Sequence, residues 1–241
     1  MPALRGDNPK MLLCVIDTTL HRGHSYFKSP PVKVTICGGG KTYILHTEAL
    51  SKFSGLKSMV NKEQARGVEH IPELNLDTDD EEAFDALVRF AYIDEYIYTD
   101  GQKEEGLADL SNINLHARVY ILSAALGAEK TKERALGAVT AFAALDWKDP
   151  TEAKKAPQLS KLLDDIIRTI PLFYLSTHDT DSTHGRLTGH KSAFKTQLAR
   201  ICATYVEELR KKDDFIAMLK KYPDLSTDIL VNGSEKRKPD L

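Results

Sequence analysis

The chain has 241 residues, with 33 basic against 35 acidic side chains, a formal net charge of −2 and three cysteines. That balance offers no basic field to hold nucleic acid or an anionic membrane. Cys14, Cys37 and Cys202 are an odd number, widely spaced and without a CxxC pair, which argues against zinc-ribbon, thioredoxin-like and secreted disulfide frameworks.

A chain of this length buries roughly 70–75% of its unfolded surface, so it needs neither metal nor disulfide to hold a core. Residues 1–31 read as an irregular N-terminal segment closing on Ser29-Pro30-Pro31. Within it Met11-Leu12-Leu13-Cys14-Val15-Ile16 is apolar until Asp17 interrupts. The run is too short for a bilayer span or the usual leader and predicts a strand or packed helix. Residues 32–37 alternate in the β manner and are rich in branched side chains. Gly38-Gly39-Gly40 supplies a hairpin turn, and residues 41–45 return as the second strand. Residues 47–61 predict two short helices broken at Gly55, and Leu74-Asn75-Leu76 predicts a third strand.

Thr78-Asp79-Asp80-Glu81 reads as a capping box with Thr78 at the cap, followed by Phe84, Leu87, Val88 and Ala91 on one helical face. Leu115, Val119, Leu122 and Leu126 repeat the period, with Gly127 as a stop, and Ala135, Val139 and Phe142 mark the next helix. Lys148-Asp149-Pro150 is the expected boundary. Beyond it Leu159, Leu162, Leu163, Ile166, Ile167 and Ile170 predict a helix ended by Pro171. Phe194, Leu198, Ile201, Tyr205 and Leu209 predict one more, and Phe215, Met218, Leu219 and Tyr222 a shorter one, before a disordered tail from Asn232.

The ordered pieces resemble the core of a BTB/POZ domain, with a flavour similar to fungal members. They are Val34-Thr35-Ile36-Cys37 with its hairpin and His46, then His46-Thr47-Glu48-Ala49-Leu50 with Ser54, Leu74-Asn75-Leu76 through Tyr92, and Asn114-Leu115-His116-Ala117-Arg118-Val119-Tyr120. The resemblance implies an α+β fold, a small and mostly three-stranded sheet flanked by helices over residues 32–146. An all-helical extension over 151–231 and a disordered tail over 232–241 follow. It implies a non-catalytic protein-interaction module that forms a homodimer or docks other proteins in the cytoplasm or nucleus, with no small-molecule substrate. A cullin-type ubiquitin ligase is the partner to which such a module serves as substrate adaptor, and the partner-facing residues would be Met59, Val60, Glu63 and Tyr92. The family's usual aspartate and arginine fall here at Lys33 and Phe53, so corepressor binding of the type that uses those charges is not expected. A self-associating scaffold or transcription-linked regulator that binds no cullin stays open.

Gly38-Gly39-Gly40-Lys41-Thr42 lacks the spacing of a phosphate loop and precedes a strand instead of a helix. His178, His184 and His190, with Asp179 and Asp181, offer metal-ligand types for a metal-dependent enzyme, but spacing of this kind on a polar loop fixes no geometry. His46 fits a junction hydrogen bond better than a catalytic base, since no partner nucleophile motif accompanies it. No catalytic, cofactor-binding or metal residue is therefore assigned. Lys236-Arg237-Lys238-Pro239 is a short basic tail that also fits a nuclear import signal.

Overall fold

Strict two-residue alternation makes the first strand. In β1, Pro31–Ile36, the side chains of Val32, Val34 and Ile36 are fully buried, while Lys33 and Thr35 face the other way. β2, Thr42–His46, buries Tyr43 and Leu45 on that same inner face, and β3, Glu73–Leu76, adds Leu74 and Leu76. The strands lie in the order β2-β1-β3, with β1 antiparallel to β2 and parallel to β3. On the outer face Lys33 pairs with Glu73 at 2.8 Å, and the Thr35 and Thr42 hydroxyls meet at 3.3 Å. Both members of the ion pair are about half exposed, so it contributes little to stability.

The structure, a computed structural model, describes residues 28–36, 41–65, 72–78, 80–93, 112–144, 159–174 and 188–235. The Gly38-Gly39-Gly40 turn, residues 1–27, Lys148-Asp149-Pro150, His178, His184 and the basic tail at Lys236 lie outside these residues. The fold class is mixed α+β, mostly helical with a small three-stranded sheet, as expected. No helix among the described residues is long and apolar enough to cross a membrane.

The chain packs as two units, Met1–Asp94 with Leu126–Ala128, and Glu95–Ala125 with Glu129–Leu241. This division differs from the expected boundary near Lys148, because the two helices after residue 112 group with the C-terminal helices.

In the first unit the sheet is backed by α1, Thr47–Leu50, α2, Ser54–Ala65, and α3, Glu81–Ile93. Phe53, Leu56, Phe84 and Leu87 fill the space beneath Val32, Val34 and Ile36, all of them at 1% exposure or less. Two expectations are corrected here. The break between α1 and α2 falls at residues 51–53, and Gly55 lies inside the first turn of α2. A glycine stands there because a Cβ would sit 2.6 Å from the Leu126 carbonyl oxygen, so the reason is close backbone approach, not helix breaking. The α3 cap is Asp80 instead of Thr78: Asp80 Oδ1 accepts the Ala83 N–H at 3.1 Å, and Thr78 Oγ1 accepts the Asp80 N–H at 3.2 Å. Glu81 and Glu82 then sit in the first turn, where the helix dipole favours them.

In the second unit α4, Ile113–Leu126, and α5, Glu129–Ala144, precede α6, Leu159–Tyr174, and α7, Thr188–Thr204. A short α8, Val206–Leu209, then α9, Asp213–Lys221, and α10, Pro223–Glu235, complete it. Helix α7 packs against α5, α6 and α10. Phe173 and Phe194 stack with centroids 4.5 Å apart and rings 6° from parallel, and Tyr120 tilts against both.

Pro171 does not end α6. The helix continues through it because Phe173 and Tyr174 in the last turn are buried, and that packing outweighs the lost backbone hydrogen bond. The expected helix through Leu209 breaks at Tyr205, whose φ of −103° and ψ of 19° leave the helical region. Helix α10 runs to Glu235, so residues 232–235 are helical instead of a disordered tail. Leu159 is 45% exposed and outside the core stripe it was expected to join.

Two glycines test this packing in opposite senses. Gly127 has φ of 67°, and a Cβ there would meet Ser54 Oγ at 2.1 Å, whereas a Cβ on Gly137 in α5 meets nothing within 4 Å. Gly127→Ala should destabilise by about 2 kcal/mol and Gly137→Ala should stabilise by about 1 kcal/mol, both read from urea melts.

Candidate interaction surface

Helix α3 lies along β2 because their spacings match. The three residues from Tyr43 to His46 span roughly 10 Å of strand, and the seven from Asp85 to Tyr92 span roughly 10.5 Å of helix. Side chains close the gap at both ends. At one end Tyr43 Oη donates to Asp85 Oδ1 at 2.8 Å and Lys41 Nζ donates to Asp85 Oδ2 at 2.9 Å, with the ammonium 4.9 Å from the Tyr43 ring centroid. At the other end the His46 backbone N–H donates to Tyr92 Oη at 2.9 Å, and the same oxygen lies 2.9 Å from His46 Nδ1. The Tyr92 hydroxyl thus meets both the backbone and the ring of His46, and the rings stand edge-on with centroids 5.9 Å apart. Burial pushes the Lys41 ammonium down, but hydrogen bonds to Tyr43 and Asp85 and the Asp85 charge raise it above its ordinary range. Burial, then the Asp85 carboxylate, holds the Tyr43 phenol above its own.

Of the residues expected to face a partner, Tyr92 is 4% exposed and bonded to His46, and Val60 is also 4% exposed. Both are core side chains of the first unit. Met59 and Glu63 are half-buried, one turn apart on α2. At about 100° per residue they stand roughly opposite the line of Ser54, Ser58, Asn61 and Ala65. That outward line, with Lys57 and Lys62, forms a shallow depression of about 400 Å³. It is lined by serine, asparagine, alanine and lysine side chains of a single helix, so it is a surface and not an enclosed cleft. The N-terminus of α2 is fixed by Ser54, whose N–H and hydroxyl both donate to the Gly127 carbonyl at 3.1 and 3.2 Å.

The second unit repeats the lysine–tyrosine–aspartate arrangement. Tyr174 Oη donates to Asp228 Oδ2 at 2.9 Å, Lys195 Nζ pairs with the same oxygen at 3.1 Å, and the ammonium lies 4.4 Å from the Tyr174 ring centroid. Burial, then the Asp228 hydrogen bond and charge, raises the Tyr174 phenol well above the usual range. Asp165 of α6 accepts the Asn114 N–H at 2.9 Å and so caps the start of α4, beside Asn112, which accepts the Leu115 N–H at 3.0 Å. Burial raises the Asp165 carboxyl above its ordinary value, and the backbone donors at Asn114 and Ile113 only partly offset it.

Asp85, Asp228 and Asp165 were not among the residues expected to matter. Asp85 follows the acidic first turn of α3, but its partner Tyr43 lies four elements upstream, and the other two carry no local signal. Among the described residues no three histidine, cysteine or acidic side chains gather as a metal would require. The expected metal alternative at His178 and His184 lies outside the described residues, as does the side chain of His190. No protein-family model matches the chain, and no curated protein matches it.

Cys202 is fully buried, and burial pushes its thiol up from 9.0 to about 12. The unfolded chain therefore loses this proton first as pH rises. The folded state retains it, so its contribution to stability is complete below pH 9.0 and declines from there toward pH 12. Stability should fall in this window with a Cys202 slope of about 1.4 kcal/mol per pH unit, and Cys202→Ala should flatten the profile measured by denaturant titration.

Proposed function

We propose that this chain is a non-catalytic protein-interaction module of BTB/POZ type, acting as an adaptor for a cullin-type ubiquitin ligase. The observation that supports it is the order β1-β2-α1-α2-β3-α3, a small three-stranded sheet flanked by helices of the kind the sequence resemblance implies. The polar groups most suited to chemistry in this unit, Lys41, Tyr43, Asp85, His46 and Tyr92, are engaged in joining strand to helix. On this proposal a partner meets α2 through Met59 and Glu63, supported from within by Val60 and from α3 by Tyr92.

The burial of Val60 and Tyr92 favours a second reading. A self-associating scaffold needs neither residue at its surface, and it would leave α2 free of any cullin.

Light scattering behind size exclusion separates the two, using the full chain alone and mixed with a cullin N-terminal domain. The adaptor proposal expects a complex of defined stoichiometry, weakened about tenfold by Met59→Ala or Glu63→Ala with self-association unchanged. A clean homodimer that ignores the cullin domain would contradict it and favour the scaffold.

A further inference from the structure

The run Thr78-Asp79-Asp80-Glu81-Glu82 sets one hydroxyl ahead of four consecutive acids, and no other serine or threonine of the chain is followed in this way. The fold leaves that hydroxyl without the capping task its place in the sequence suggests. Asp80 caps α3 instead, through the Ala83 N–H. Thr78 Oγ1 accepts the Asp80 N–H at 3.2 Å, and among the described residues no acceptor takes its own proton. Thr78 is half-buried and stands in the connection between β3, which ends at Leu76, and α3, which begins at Glu81.

The acids that follow it are only partly neutralised by lysine. Lys41 lies 3.9 Å from Glu81 Oε2 but is held at 2.9 Å by Asp85, and Glu82 is exposed. A hydroxyl with carboxylates at the second, third and fourth positions beyond it complements a kinase substrate groove lined with lysine and arginine. Such a groove takes its substrate extended, so the first turn of α3 must open to present Glu81. Terminal turns are the part of a helix that frays most readily.

We propose that Thr78 is a phosphorylation site for an acid-directed serine/threonine protein kinase, with MgATP as the phosphoryl donor. The carboxylate base of the kinase takes the hydroxyl proton while Oγ1 forms a bond to the γ-phosphorus. The bond from that phosphorus to the β,γ-bridging oxygen breaks, and ADP leaves. The product carries a charge of about −1.5 to −2 at neutral pH. It stands before the N-terminus of α3, where the helix dipole favours it and the acids of the first turn oppose it. The modification therefore changes the charge of this surface and leaves the fold in place. The site goes beyond the adaptor reading and does not rest on it.

The test incubates the folded full chain with MgATP and casein kinase II, whose substrate groove is basic, and maps phosphate by fragment mass spectrometry. The expected result is stoichiometric incorporation on Thr78, retained in Thr78→Ser and lost in Thr78→Val. Glu81→Gln should slow it about tenfold with the native melt unchanged. Mapping on the unsubstituted chain decides the matter even where Thr78→Val fails to fold. No phosphate on Thr78 of the folded chain would overturn the proposal. Acceptance by a peptide covering residues 72–86 alone would overturn it too, by showing that the fold closes the site.

Discussion

The first unit depends on the alignment of α3 with β2. A helix rises about half as far per residue as a strand, so two turns of one cover three residues of the other. Asp85 and Tyr92 are spaced to meet the two ends of β2, and each end is closed by a charge-assisted or doubly used hydrogen bond. Between them Tyr43 meets the Phe84 ring edge-on at 5.0 Å, so the contact is apolar in the middle and polar at both ends. With α3 held there, Leu87 and Phe84 reach the inner faces of Val32, Val34 and Ile36, and α2 closes the core through Leu56 and Val60.

The second unit applies the same chemistry to helices. Tyr174, Lys195 and Asp228 join α6, α7 and α10, and Asp165 joins α6 to the first turn of α4. Each carboxylate is engaged by donors from other elements, which offsets the cost of bringing a charge partly out of water. The aromatic cluster of Tyr120, Phe173 and Phe194 then carries the apolar part of the packing and keeps the last turn of α6 helical beyond Pro171.

Much of the architecture was legible because it is written in local periods. The alternation of Val32, Val34 and Ile36, the helical spacing of Phe84, Leu87, Val88 and Ala91, and the stop at Gly127 all arise from side chains close in sequence. What escaped depends on distant partners. Gly55 reads as a breaker until the Leu126 carbonyl is seen against it. Asp85, Asp165 and Asp228 meet partners 42, 51 and 54 residues away, beyond any window in which a period can be read. Val60 and Tyr92 have the composition of interface anchors, and the same apolar and aromatic character buries them in the core of the first unit.

These features lead to one physical account, in which the versatile polar side chains of the first unit hold strand to helix. A double-mutant cycle on Tyr43→Phe and Asp85→Asn, read by urea denaturation, tests it most directly. The account predicts a coupling energy of about 1–2 kcal/mol, with both variants retaining the native fold. Additive effects, with coupling indistinguishable from zero, would contradict it and return Tyr43, Lys41 and Asp85 to the pool of residues awaiting another role.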